Sequence, residues 1–92
     1  DITREDMAVI AKRALLAKLG SLDGDGKSDF ADSADIADYA KDAVDTLCSL
    51  GILNGDNGRF MPKNNATRAE TAVVIDRLMS FVEKIAQAGG NQ

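Results

Sequence analysis

Ala66-Thr67-Arg68-Ala69-Glu70-Thr71-Ala72-Val73-Val74-Ile75-Asp76-Arg77 lies in register over Ile2-Thr3-Arg4-Glu5-Asp6-Met7-Ala8-Val9-Ile10-Ala11-Lys12-Arg13, 64 residues earlier. Thr, Arg, Ala, Val and the second Arg are identical in the two copies. Self-similarity at a fixed offset marks a repeat architecture. Each copy also reads as a helix start. Thr3 and Thr67 stand at N-cap, and an acid three residues on, Asp6 or Glu70, completes a capping box. The spacing predicts helices over residues 4–19 and 68–88. Met7, Ile10, Ala11, Ala14 and Leu15 form the apolar stripe of the first, Val74, Ile75, Leu78, Val82 and Ile85 that of the second. Ile2 is placed to staple onto Met7, and Gly20 to end the first helix. Residues 89–92 read as a frayed tail.

Between the two copies, residues 21–29 read as a linker loop. A short helix is expected near Asp35, capped by Ser33 or Asp35. A clearer helix over 39–50 carries Tyr39, Ala40, Ala43, Val44, Leu47 and Leu50, with Gly51 at C′ and Ile52 behind it. Asn54-Gly55-Asp56-Asn57-Gly58 is a dense turn signal, and Arg59-Phe60-Met61 leads as an extended arm to Pro62. The fold class is therefore all-α: two long helices, one or two shorter ones, and the arm. The chain divides into the C-terminal half of one repeat (1–20), the linker (21–29), a complete repeat (30–88) and the tail (89–92).

The chain has 92 residues, 11 basic and 15 acidic, for a net charge of −4. No apolar run approaches the roughly 18 residues a membrane span needs, so no membrane insertion is expected. An acidic chain without a basic cluster argues against nucleic-acid binding. The single Cys48 excludes a disulfide scaffold, and the absence of histidine removes the usual general base and zinc ligand. So small a chain is marginal alone, which points to a piece of something larger or to association.

Phe30-Ala31-Asp32, Tyr39-Ala40, Ala43-Val44, Leu47, Gly51-Ile52, Gly55, Gly58, Phe60, Pro62 and Thr67-Arg68-Ala69-Glu70 follow in an order and spacing that resembles the S-layer homology (SLH) domain family. The resemblance covers about residues 30–80 as a full repeat, and residues 2–15 match the end of a preceding one. It implies mostly helical repeats, usually three around a pseudo-threefold axis. It also implies noncovalent anchoring of proteins to secondary cell-wall polymers of bacteria, often through a pyruvylated sugar. The chain departs from the pattern in three ways. Tyr39 stands where the family often has Trp, the first copy reads Thr-Arg-Glu-Asp, and about one and a half of three repeats are present.

Arg4 and Arg68 are the leading ligand-binding candidates. A cation at N1 opposes the helix macrodipole, a misfit repeated in both copies. A helix N-terminus with free N–H groups beside a guanidinium is a good carboxylate or phosphate receptor, and a pyruvyl ketal carries such a carboxylate. The competing assignment has Arg68 pair with a nearby acid and merely orient the repeats. Tyr39 is a groove-lining candidate or a half-buried core residue. Gly51 admits a ligand to the backbone or serves only the left-handed helix exit. Thr3, Thr67, Glu70 and Asp6 are assigned to capping and support. The acids at 23–29 do not fit a calcium loop, because Ser28 and Ala34 fall where Gly and Glu are needed. Cys48 reads as an inert thiol. No catalytic pair, cofactor or metal is expected. The expected partners are a secondary cell-wall polysaccharide of the bacterial surface, outside the cell, and sister repeats or other copies of the chain. The alternative is a structural module that packs with sister repeats and binds no ligand.

Overall fold

The computed structural model describes residues 2–20 and 30–90, the last three by backbone alone. Its elements are α1 (Arg4–Leu19), a single 3₁₀ turn (Ser33–Asp35), α2 (Asp38–Ser49) and α3 (Arg68–Gly90). The protein is all-α, and no strand occurs among the described residues. The linker and the calcium question at 23–29 lie outside those residues, as do positions 91–92. Among the described residues no helix is long and apolar enough to cross a membrane.

α1 starts and ends as its sequence predicts. The Thr3 hydroxyl accepts from Asp6 N at 3.3 Å, and Gly20 N donates to Leu16 O at 2.7 Å. Its Met7, Ala8, Ala11 and Leu15 meet Ala40, Ala43, Val44 and Leu47 of α2, all buried. Alanines on both helices allow a close approach. Fully burying Leu15 and Leu47 contributes about 1.5–3 kcal/mol each. The buried face differs from the predicted stripe: Ile10 is 57% exposed and Ala14 is exposed. α1 has two neighbours, so its α2-facing side is turned toward Ala8, while Ile10 and Ala14 line a groove shared with α3.

α2 begins at Asp38, one residue earlier than expected. The expected short helix is the 3₁₀ turn Ser33–Asp35, whose N-cap is Asp32 rather than Ser33 or Asp35; the N-cap of α2 is Ala37, and the Glu5 carboxylate accepts the Ala37 N–H at 3.0 Å. The exit follows the Gly51 signal. Gly51 takes φ +77°, Gly51 N donates to Cys48 O at 3.1 Å, and Ile52 N reaches back to Leu47 O at 3.0 Å. This double bond pattern satisfies the last carbonyls and drives Ile52 into the core at 1% exposure.

The arm is a tight hairpin. Asp56 and Arg59 exchange backbone hydrogen bonds of 2.8 and 3.0 Å around Asn57 (φ 52°) and Gly58 (φ 75°). Two consecutive positive φ angles are the condition that makes Asn-Gly the preferred pair. Beyond it, Phe60 is fully buried, with Phe30 at a centroid distance of 5.5 Å. Met61 holds φ 58°, a conformation costing a non-glycine residue about 1–3 kcal/mol. Asp32 offsets that cost by accepting Phe60 N and Met61 N, both at 2.8 Å.

α3 runs through Gly89 and Gly90, so two residues expected to fray are helical. Val74 is buried and Leu78 and Val82 are half-buried, but Ile75 and Ile85 are 52% and 45% exposed. Two of the five residues of the predicted stripe therefore have no cover.

Candidate functional site

The two Thr-Arg helix starts lie side by side. Ala66 N donates to Ile2 O at 2.8 Å, and Thr3 and Asn65 form an isolated antiparallel bridge. Their environments differ.

At the start of α1 the first three helical amides each have an acceptor. Arg4 N donates to Asn64 O (2.8 Å), Glu5 N to Pro62 O (3.1 Å), and Asp6 N to the Thr3 hydroxyl. The Arg4 side chain is also engaged. Nε donates to Phe60 O at 2.7 Å, Nη2 donates to Asn54 O at 2.8 Å, and Nη1 pairs with the Glu70 carboxylate. The guanidinium lies 4.8 Å from the Phe60 ring centroid, a favourable cation–π placement. Arg4 is 6% exposed, and burial lowers its pKa from the ordinary arginine value. Arginine nevertheless stays charged in proteins. Arg4 thus takes the part that the competing assignment gave to Arg68, tying α1 to the arm and to α3.

At the start of α3 the Thr67 hydroxyl accepts from Glu70 N at 3.0 Å, so the cap forms. The other half of the capping box is replaced, since the Glu70 carboxylate turns to Arg4. Among the described residues the Arg68 and Ala69 amides meet no acceptor and the Arg68 side chain no acid. Arg68 is exposed beside Ile2, Thr71 and Ile75 in an open groove of about 400 Å³.

Tyr39 is 64% exposed, not half-buried. Its hydroxyl donates to Asp6 at 2.6 Å and approaches Glu5 at 3.3 Å. The Asp6 bond pushes the phenol pKa up to about 12, helped by some desolvation and the Glu5 charge. Asp6 therefore serves Tyr39 in place of a capping box. Gly51 is exposed, with open space where a Cβ would stand. Cys48 is half-buried, and burial, then Asp45, raises its thiol to about 11.

Two supporting acids escaped the sequence reading. Glu5 is 3% exposed and receives Ala37 N, Tyr39 OH and, at 2.8 Å, the Lys63 ammonium. Burial would raise its pKa, but the Ala37 and Lys63 bonds prevail and hold it below the glutamate range. Burial pushes Asp32 upward too, and the Phe60 and Met61 amides outweigh it. Copy-to-copy asymmetry was the available signal for Glu5, since Ala69 stands at its counterpart position. Ile52, Asn54, Glu70, Val74 and Arg77 line a further groove, of about 310 Å³, beside the Arg4–Glu70 pair.

The S-layer homology domain family matches residues 29–72. An amylopullulanase from Thermoanaerobacterium thermosulfurigenes is 43% identical over 81 residues, 85% of this chain and 4% of the relative. Exoglucanase XynX from Acetivibrio thermocellus is 41% identical over 80 residues, 85% of the chain and 7% of the relative. An endoglucanase from Bacillus sp. (strain KSM-635) is 37% identical over 81 residues, 86% of the chain and 9% of the relative. The chain thus spans less than a tenth of each of these curated relatives. No solved structure matches it significantly. The register of the two helix starts and the match over residues 29–72 lead to one assignment: the chain belongs to the S-layer homology domain family, whose members are typically cell-wall anchoring modules.

Proposed function

We propose that the chain is a non-catalytic anchor that holds an anionic, pyruvylated secondary cell-wall glycan at the bacterial surface, with Arg68 as its main cation. The observation carrying this reading is the open start of α3. Two unpaired amides, the positive end of a helix macrodipole and an exposed guanidinium converge there, a set of donors suited to a carboxylate. Arg4 acts by holding the repeats together rather than by touching the glycan. Tyr39 and Gly51, both exposed, are available as groove contacts. The shared segment covers a small part of three polysaccharide-active relatives, in keeping with an attachment role beside catalysis located elsewhere. The test is pull-down by purified cell-wall sacculi before and after removal of the secondary polymer. Binding should vanish with the polymer and in Arg68→Ala, whose helical signal should persist. Full retention by Arg68→Ala would remove this residue from the site.

A second reading, packing against sister repeats or other copies, has its own support. Thr71, Ala72, Ile75 and Met79 of α3 correspond by the 64-residue offset to Met7, Ala8, Ala11 and Leu15 of α1. The α1 set is buried under α2, whereas Ile75 and Met79 are 52% and 58% exposed. An α2-like element from another repeat would cover them. Sedimentation across a concentration series checks self-association, and a monomer throughout the range would leave only repeats of another kind as partners.

A further inference from the structure

α3 carries two cations well away from Arg68. Arg77 and Lys84 are seven residues apart, two helical turns and about 10 Å along one face, and both are exposed. Arg77 stands between two grooves. One contains Asn54 and Glu70; the other, of about 190 Å³, contains Gly51, Ser80 and Lys84; Ile52 and Arg77 line both. Together they form a trough along the exit of α2. Glu70 is the one carboxylate on its walls, and that charge is matched by Arg4. In a protein of net charge −4, the trough is therefore locally positive.

The groups in it are arranged for a polar ligand with apolar faces. With the Asn54 amide assigned in the orientation that satisfies both of its ends, its oxygen accepts from Arg77 Nη1 at 2.8 Å and its nitrogen donates to Leu53 O at 3.1 Å. That bond orients the guanidinium. Among the described residues its remaining donors, and the Lys84 ammonium, meet no acid. Ile52, Leu53 and Val74, at 1%, 2% and 4% exposure, make an apolar floor. Gly51 leaves a backbone edge clear, with nothing within 4 Å of a notional Cβ. Sugar rings present C–H faces to such a floor, while acidic substituents seek the cations.

We infer that this trough is a second subsite for an anionic saccharide, Arg77 taking the acidic group of one sugar and Lys84 that of a neighbouring one. The inference rests on the wall-polymer reading above and assigns two cations, Arg77 and Lys84, that reading does not use. The spacing of the cations selects a chain of at least two sugars rather than a lone carboxylate. The competing account is that both cations complement the negative end of α2.

The test compares the parent chain with Arg77→Gln/Lys84→Gln, Arg77→Lys and Arg68→Ala. The readouts are titration with acidic wall polysaccharide released from sacculi, at low and moderate salt, and thermal melting. Each Gln substitution should weaken binding about threefold and the pair about tenfold, with a shallower salt dependence and an unchanged melting curve. Arg77→Lys keeps the charge and should retain most of the affinity. Wild-type affinity in the double variant overturns the subsite, as does a lowered melting temperature with binding intact; if Arg68→Ala still loses binding in either case, the anchoring reading stands. Absence of binding by the parent chain overturns both.

Discussion

Arg4 and Arg68 hold the same position in two copies of one helix start, yet one is a buried hub and the other an open cation. The local sequence is sufficient for the shared part, the Thr cap and the helix behind it. What differs is the neighbour. The arm of the complete repeat lays Pro62 and Asn64 carbonyls over the α1 amides and Phe60 and Asn54 carbonyls over the Arg4 guanidinium. No corresponding arm covers α3 among the described residues. A motif of this kind is thus closed or left open according to whether another segment packs over it.

The sharpest way to break that contrast is to remove each arginine in turn. Arg4→Ala strands the half-buried Glu70 carboxylate and two backbone carbonyls, and should cost about 3 kcal/mol, since each acceptor left unsatisfied costs about 1–3 kcal/mol. Arg68→Ala should change stability by no more than about 0.5 kcal/mol, with a slight gain from relief of the macrodipole misfit. Urea unfolding of the two variants decides it; equal losses would mean that the two starts are structurally alike.

Acid should separate the two regions next. Glu5 and Asp32 have lowered pKa values, so each contributes stability that is fully present above its unfolded value. Those values are about 4.3 for Glu and 3.9 for Asp, and the contribution is lost as pH falls through the folded values. The melting temperature should therefore drop below about pH 4. Glu5→Gln and Asp32→Asn should flatten that drop, because both acids serve the closed end. A profile indifferent to both changes would show that other carboxylates dominate.

The smallest effect belongs to Tyr39. Its raised pKa means that the Asp6 bond is intact below pH 10 and fades as pH rises through about 12. Ultraviolet titration of this one tyrosine should show a late midpoint, moved back toward pH 10 in Asp6→Asn. A normal midpoint in the parent chain would mean that the phenol is free in solution.

Much of this architecture was legible in the residues. Thr3, Thr67, Gly51 and Asn57-Gly58 each impose a local backbone geometry that does not depend on distant partners, and each appears as expected. The burial of Arg4 was not legible, because its main acceptors are backbone carbonyls 56 and 50 residues away. Carbonyl groups carry no residue-type signature. Neither Glu70 nor Asp6 closes its capping box, for a related reason: a capping box competes with any cation or hydroxyl that tertiary packing brings near, and Arg4 and Tyr39 do so. The tilt of the α1 face from Ile10 to Ala8 reflects two packing partners, which one stripe cannot encode. Arg77 and Lys84 form no basic cluster along the sequence, because they stand two helical turns apart.

The Arg4 hub also has a consequence in time. Arg4 is synthesised 50 residues before Asn54 and 56 before Phe60, and Glu70 comes later still. α1 must therefore wait for the whole intervening stretch before its hub can close. Closing loops of this length carries an entropic penalty that grows only slowly with length, but it must be met before the contacts reward it. Folding should therefore be gated by a late long-range event, and a chain cut before Glu70 should leave Arg4 without its acid.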